Sequence, residues 1–291
     1  MKLTSGEKVF QGFNYVFLAL LGLATIYPLW EVVRISLSTP AEASRMAFAL
    51  WPKEISWDAY NHVLNNSFIW TGYKNTIYRM VLGTAIQMVL TVLVAYPLSR
   101  KKLPHRSAFT LFVVFTMFFS GGLIPEYLLI QHYLHLGNTI WALVLPPAIN
   151  TFSMLIVRNY FMAIPHEIEE SAKIDGASDL RILSYIMVPL SIPILVTIGL
   201  WSLVAHWNAW FDALIFIRNG TDYPLQMVLR KIIIEATPMF DGTAGSDVSV
   251  NIAAETIKAA SIIVGTLPIV MIYPFIQKYF IKGVMIGSLK G

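Results

Sequence analysis

No cysteine occurs in the 291 residues, which excludes disulfides, a cysteine nucleophile and thiolate metal sites. Charge is almost as scarce: Asp, Glu, Lys and Arg make up 13% of the chain, where soluble proteins carry about 25%. Signatures of chemistry are missing too. No Gly-x-x-x-x-Gly-Lys-Ser/Thr phosphate loop occurs, so the chain is not expected to bind ATP itself, and no Gly-x-Ser-x-Gly elbow offers a nucleophile. His166-Glu167 opens like a zinc-protease helix, but Glu170 stands where a second histidine is required. The histidines at 62, 105, 132, 135 and 206 are scattered, and His132 with His135 reads as a turn pair rather than a metal site. No metal or cofactor is expected on this chain, and no internal repeat or low-complexity segment is evident.

What is abundant is apolar sequence, 56% of the chain. A membrane span needs about 20 predominantly apolar residues, and windows free of Asp, Glu, Lys and Arg predict six: residues 9–30, 80–99, 107–125, 139–157, 187–209 and 259–277. The expected fold is therefore all-α, a single polytopic membrane domain over residues 1–291. Lys2 and Lys8 precede the first run as in a signal peptide, but the run lacks a small-x-small cleavage site and reads as a retained span. Gly121-Gly122 and Pro125 predict a bent third span. Between spans, residues 31–79 read as an ordered aromatic loop on a membrane face. Leu225, Val228, Leu229, Ile232 and Ile233, opposite Arg230 and Lys231, predict an amphipathic helix in the interface.

Six spans put both termini on one side. Twelve Lys and Arg residues fall there and nine in the much longer loops of the other side, so the N-terminus, the 158–186 loop and the C-terminal tail are expected to be cytoplasmic. This sidedness also accounts for the net charge of +4 without nucleic acid.

The 158–186 loop contains the one long polar segment built as a rigid part. Pro165 at a helix start, Glu167, Glu169 and Glu170 in the opening turns, and Gly176 at a left-handed cap position predict a short punctuated helix. Glu169 and Lys173 form an i,i+4 pair in the favourable order. Ser178 can cap a second helix that carries Arg181 and runs on to Pro189. Patterning alone also allows a plain solvated connector.

Glu170-Ser171-Ala172, three residues, Gly176, nine residues, then Ile186-x-Val188-Pro189 resembles the signature loop of bacterial ATP-binding-cassette importer permeases, with Ser171 for Ala and Val188 for Leu. Trp51-Pro52, Tyr73-x-Asn75-Thr76-Ile77, Gly121 to Pro125, Trp207-Asn208-x-Trp210-Phe211-Asp212 and the ending Lys282-Gly283-x-x-x-Gly287-Ser288-Leu289-Lys290-Gly291 are similar to the smaller permease of carbohydrate importers of the maltose-transporter type. Within these, they are most similar to the lipoprotein-associated and alginate-type polysaccharide permeases. The resemblance implies a type I importer permease fold in a bacterial inner membrane. It implies a homologous second permease, two cytoplasmic ATPase subunits that hold the ATP and Mg, and an extracytoplasmic sugar-binding protein. It also implies that Glu169, Glu170, Ala172, Asp175, Gly176, Ala177, Arg181 and Pro189 serve ATPase coupling, with Glu170 meeting a basic residue, and that the tail reaches the ATPase interface.

Polar groups in or near the membrane are functional candidates. Glu126, Asn150, His206, Asn208 and Asp212 are expected to line a substrate path, and Trp207, Trp210 and Phe211 could stack on sugar faces, or the tryptophans could form an aromatic belt. Asp212 is also placed to pair with a neighbour. Two rival functions stay open on the residues themselves: an ion-coupled secondary carrier, for which mid-span carboxylates and inverted repeats are wanting, and an intramembrane enzyme, for which no nucleophile and base pair is found.

Overall fold

The computed structural model describes residues 4–43, 49–235 and 254–272. Among them all regular structure is helical, apart from one isolated antiparallel bridge between Ser38 and Ile55. The chain divides into two compact units, one containing Met1–Ile69 and Leu229–Pro268, the other containing Trp70–Val228.

In the first unit, α1 (Ser5–Ser36) opens with a reciprocal capping box in which Thr4 Oγ1 accepts from the Glu7 amide and the Glu7 carboxylate accepts from the Thr4 amide. Its apolar side chains are exposed all round, Phe10, Leu20 and Leu29 among them, so lipid or another chain must cover it. The helix runs past the predicted span to Ser36. Arg34, expected in a loop, is therefore a buried helical residue that shares a bidentate bond with Glu31 one turn away. A short helix, Asp58–Leu64, follows in what was expected to be loop, and the Glu42 carboxylate accepts from the Lys53 and Glu54 amides.

The predicted second span is the largest difference in length. α2 (Ser67–Ser99) starts thirteen residues earlier than the sequence window, which was cut at Arg79 because a charge ends an apolar run. Arg79 is in fact neutralised by a partner, so the helix continues through it. The third window is bent as expected: α3 (Arg106–Phe118) and α4 (Leu123–Tyr133) meet at 106°, with Gly122 at φ +87° where a Cβ would be strained. The fourth window, 139–157, is not one helix. A four-residue turn of helix at Trp141–Val144 and a 3₁₀ turn at Pro146–Ala148 precede α5 (Thr151–Ala163). Two consecutive prolines cannot donate to a preceding turn and break the ladder, and Asn150 restarts it by accepting from the Ser153 amide at 2.9 Å.

After α5 come α6 (His166–Ile174) and α7 (Asp179–Leu190), then α8 (Ile192–Asn208), which leaves α7 at 84°. Buried Ser191 stands at that bend between Pro189 and Pro193, so residues 187–190 of the predicted fifth span belong to the helix before the bend. α9 (Phe211–Phe216) and α10 (Leu225–Glu235) follow. α10 does carry its charges on one exposed face, but Leu225, Val228 and Leu229 are buried in protein rather than offered to lipid. Gly72 makes this approach possible, since a Cβ there would lie 3.1 Å from Leu225 Cα, and Thr76 Oγ1 accepts from the Leu225 amide. The last described helix is α11 (Ala254–Ile272), of which the residues up to Pro268 belong to the first unit. The end of the sixth predicted span and the tail from Gly283 lie outside the described residues.

Three described helices are thus long and apolar enough to cross a bilayer, and the two bent pairs pass the same test. The main core of the second unit gathers Ala95, Tyr96 and Leu98 of α2, Met154, Val157 and Phe161 of α5, Ile182 and Met187 of α7, and Leu195 and Ile198 of α8. This core is what fixes the polar elbow to the membrane helices.

Candidate functional site

The elbow is built by local rules. α6 ends in a left-handed cap at Gly176, φ +78°, where the Ala177 amide donates to Ala172 O and the Gly176 amide to Lys173 O. These two bonds satisfy carbonyls that the helix end would leave bare, and only glycine takes the required φ without cost. Ala172 and Ala177 both pack on the core below, and Asp175 is the C-cap between them. Ser178 then caps α7, its Oγ accepting from the Arg181 amide at 3.4 Å. Arg181 and Pro189 are exposed.

The two adjacent glutamates part company. Glu170 is exposed, while Glu169 is 7% exposed on an otherwise solvated helix. Glu169 is ion-paired with Arg100 at the end of α2, lies 3.0 Å from Lys173 Nζ and accepts from Tyr96 Oη at 3.5 Å. Lys173 also reaches Asp179 across the elbow at 3.3 Å; the hydrogen bond to Glu169 is the main cause that raises its pKa above the ordinary lysine value. Sequence reading found the Glu169–Lys173 pair but not Arg100, which arrives from seventy residues upstream. It also missed the apolar side chains offered on this polar segment: Ile174 is 87%, Tyr185 77% and Leu180 68% exposed. These bare apolar groups give the otherwise polar elbow an exposed apolar patch.

A second site lies within the unit containing Trp70–Val228. A cleft of about 610 Å³ is walled by α2, α4, the Pro146-Pro147 turn, α5, α8 and α9. Arg79 is 1% exposed and forms a bidentate ion pair with Asp212, with further donations to Ala209 O and Leu143 O at 3.4 Å. Beside it Ser202 Oγ lies 2.6 Å from Gln87 Oε1 and 3.1 Å from Thr84 Oγ1. His206 is buried against α2, where Gly83 leaves it room: a Cβ at 83 would stand 2.4 Å from its Nε2. Phe152 and Trp201 stack with ring centroids 6.3 Å apart and planes at 18°. So many polar groups in helices of this hydrophobicity are tolerable only where water or other polar matter meets them.

Of the seven path candidates, Glu126, Asn150, His206 and Asp212 line this cleft. Asn208 bonds back to Val204 O, Trp207 is buried against Tyr73, and Trp210 packs over Leu143 and Met227, so these three are elsewhere. Arg79, Gln87, Ser202, Phe152 and Trp201 were not foreseen. Each sits in an apolar run or at its edge, and only the packing of α2 against α5 and α8 brings them together.

Residues 69–286 match the family model described as "Binding-protein-dependent transport system inner membrane component". Protein LplC of Bacillus subtilis is 40% identical over 289 residues, covering 99% of this chain and 97% of LplC. The polygalacturonan/rhamnogalacturonan transport system permease protein YtcP of the same organism is 39% identical, covering 98% of this chain and 99% of YtcP. The solved structure of a bacterial ABC transporter involved in the import of the acidic polysaccharide alginate contains a chain that superposes with a TM-score of 0.86 at 32% identity, over 96% of this chain and 99% of that one. An all-helical chain with several apolar helices, matched along nearly its whole length in this way, belongs to the binding-protein-dependent transport system inner membrane components, the permeases of ABC transporters.

Proposed function

We propose that this chain is one permease of an ATP-driven importer of oligosaccharides or polysaccharide fragments, and that the cleft of the second unit forms part of the sugar path. Its elbow docks a cytoplasmic ATPase, whose closure switches the cleft between outward and inward access. ATP and Mg belong to that ATPase, of which two copies serve this chain and a homologous second permease. An extracytoplasmic binding protein delivers the sugar. Both termini and the elbow lie in the cytoplasm, a reading that the distribution of Lys and Arg supports. The names of the relatives support a carbohydrate substrate, and the cleft suits one: the Phe152–Trp201 pair offers an apolar platform to a sugar ring, ringed by Glu126, Asn150 and Gln87 as hydrogen-bonding groups.

The observation that carries the coupling part is the elbow itself. A short helix closed at its C-terminal end by a left-handed cap moves as a body, and the elbow presents Glu170, Ile174 and Leu180 outward while Ala172 and Ala177 rest on the core. The test is recovery of the complex from native membranes in detergent, with the wild type compared against Glu170→Ala and Gly176→Pro. A second permease and an ATPase are expected with the wild type, and the ATPase is lost from both variants, because proline cannot adopt φ +78°. Recovery of this chain alone, unchanged by either substitution, overturns the reading and favours an ion-coupled secondary carrier.

A further inference from the structure

Arg100 is used by neither the cleft nor the docking face, yet it is nearly buried, with its side chain 15% exposed. It stands one residue beyond the end of α2, its guanidinium lies 4.5 Å from the centroid of the Tyr96 ring, and its Nη1 is ion-paired with Glu169. Among the described residues its Nε and Nη2 have no hydrogen-bond partner and Glu169 is the one acid paired with it. From the other side, Glu169 is the one buried residue of α6, and the remaining apolar support on the core comes from the small side chains of Ala172 and, just past the helix, Ala177. Alanines bury little area and hold a helix only loosely about its own axis. The hold of α6 on α2 therefore depends on the charged contact.

α2 carries this contact at one end and the cleft further along. Arg79 and Gln87 line the cleft, and about 30 Å of continuous helix separates Arg79 from Arg100. The helix is continuous to Ser99, with Pro97 removing one amide from its last turn, and a continuous helix is stiff along its axis, so a pull on Arg100 is felt at the cleft wall. We infer that Arg100 is a positioning residue for transport: its bond to Glu169 fastens the docking helix to α2 and passes the movement of α6 to the cleft. A buried ion pair is a poor device for stability alone, because apolar side chains of similar volume serve as well. Its directionality is what a fastener needs.

This inference rests on the proposed ATPase coupling, and one experiment separates the two. The chain has no native cysteine, so Ala205→Cys, at an exposed cleft position, makes thiol labelling of this chain a report on cleft access that needs no knowledge of the sugar. The complete complex with its binding protein is labelled with a maleimide, with and without ATP, Mg and vanadate. The parent carrying Ala205→Cys is expected to change its labelling rate with nucleotide. Arg100→Glu is expected to cut that response about tenfold while ATPase recovery and basal labelling hold, and Arg100→Glu with Glu169→Arg is expected to restore most of it. A parent without nucleotide response sinks the proposed coupling. A parent that responds, with Arg100→Glu responding equally or the double exchange no better than the single, sinks the fastener instead. Should Arg100→Glu fail to accumulate, Arg100→Gln removes the charge without placing two acids together, and the same two outcomes decide.

Discussion

The elbow and the cleft are both held to α2 by a guanidinium, Arg100 for one and Arg79 for the other, yet they are built on opposite plans. The elbow is one contiguous stretch whose shape follows from caps and a left-handed glycine. Its polar long-range ties, Arg100 and Tyr96, converge on Glu169. The cleft has no local plan at all: its walls come from six separate segments, and its polar groups are satisfied only across helices. A part that must move as a body gains from local closure, whereas a path through a membrane has to be shared among helices that can shift against one another. The contrast predicts that single substitutions cost most in the cleft and least in the elbow.

The largest effect is expected at the Arg79–Asp212 pair. Asp212→Ala leaves a guanidinium that is 1% exposed without its counter-charge, and breaking a buried pair from one side costs about 3–5 kcal/mol. Because the Asp212 side chain is itself 27% exposed, water relieves part of this and the lower end applies. Thermal unfolding of the purified complex reads it out. Arg79→Met with Asp212→Leu removes both charges and should recover most of the loss. A single variant as stable as the wild type would mean that the cleft is as locally closed as the elbow, and the comparison breaks.

Next is the close approach of α2 and α8. Gly83→Ala sets a Cβ against the His206 imidazole, and overpacking of this kind costs about 1–3 kcal/mol. The end of a side chain can move more readily than backbone, so the displaced His206 should enter the cleft and alter maleimide access at Ala205→Cys. Combining Gly83→Ala with His206→Ala removes the collision. If the double variant is no more stable than the single, the contact is not what Gly83 is for.

These two cases also mark where the sequence could and could not be read. Gly176, Ser178 and the Glu169–Lys173 pair act on neighbours within five residues, and their pattern announces them before any fold is known. Gly122 with Pro125 announced the bend between α3 and α4 in the same way. Arg79 was misread as a loop charge because an apolar window stops at any charge, although an ion pair across the fold can carry a helix through it. Pro146 and Pro147 were passed over for the converse reason: an uncharged window looks continuous even where its ladder must break. The tryptophans at 207 and 210 stood out as candidates beside Asp212, but Trp207 packs against Tyr73 and Trp210, in the break between α8 and α9, packs on the Leu143–Met227 cluster, while Trp201, six residues before Trp207, faces the cleft.

Within the elbow the effects shrink. Gly176→Ala forces a Cβ into the left-handed region, for which about 1–2 kcal/mol is expected, and Ser178→Ala removes a cap worth about 1 kcal/mol. Neither reaches the cleft, so basal labelling at Ala205→Cys should be unchanged in both, and a shifted basal rate would show that elbow and cleft are not separately built.

The smallest effect is expected at Lys173, and it sharpens the contrast with Arg100 on the same glutamate. Lys173 is 48% exposed, so water screens its pairs with Glu169 and Asp179, and Lys173→Met should cost less than about 1 kcal/mol. Its pKa is raised in the folded protein, chiefly by the hydrogen bond to Glu169. A raised pKa gives stability that is fully present below the ordinary lysine value and is lost only as pH climbs through the higher folded value. Between neutral pH and the ordinary lysine value, therefore, Lys173 contributes no slope, and the difference in melting temperature between wild type and Lys173→Met should stay flat across that interval. Arg100→Gln, acting on the same carboxylate from its buried side, should produce the larger loss at every pH. If Lys173→Met proved the more damaging of the two, the hold on α6 would come from within the elbow, and its ion pair with Arg100 would carry nothing.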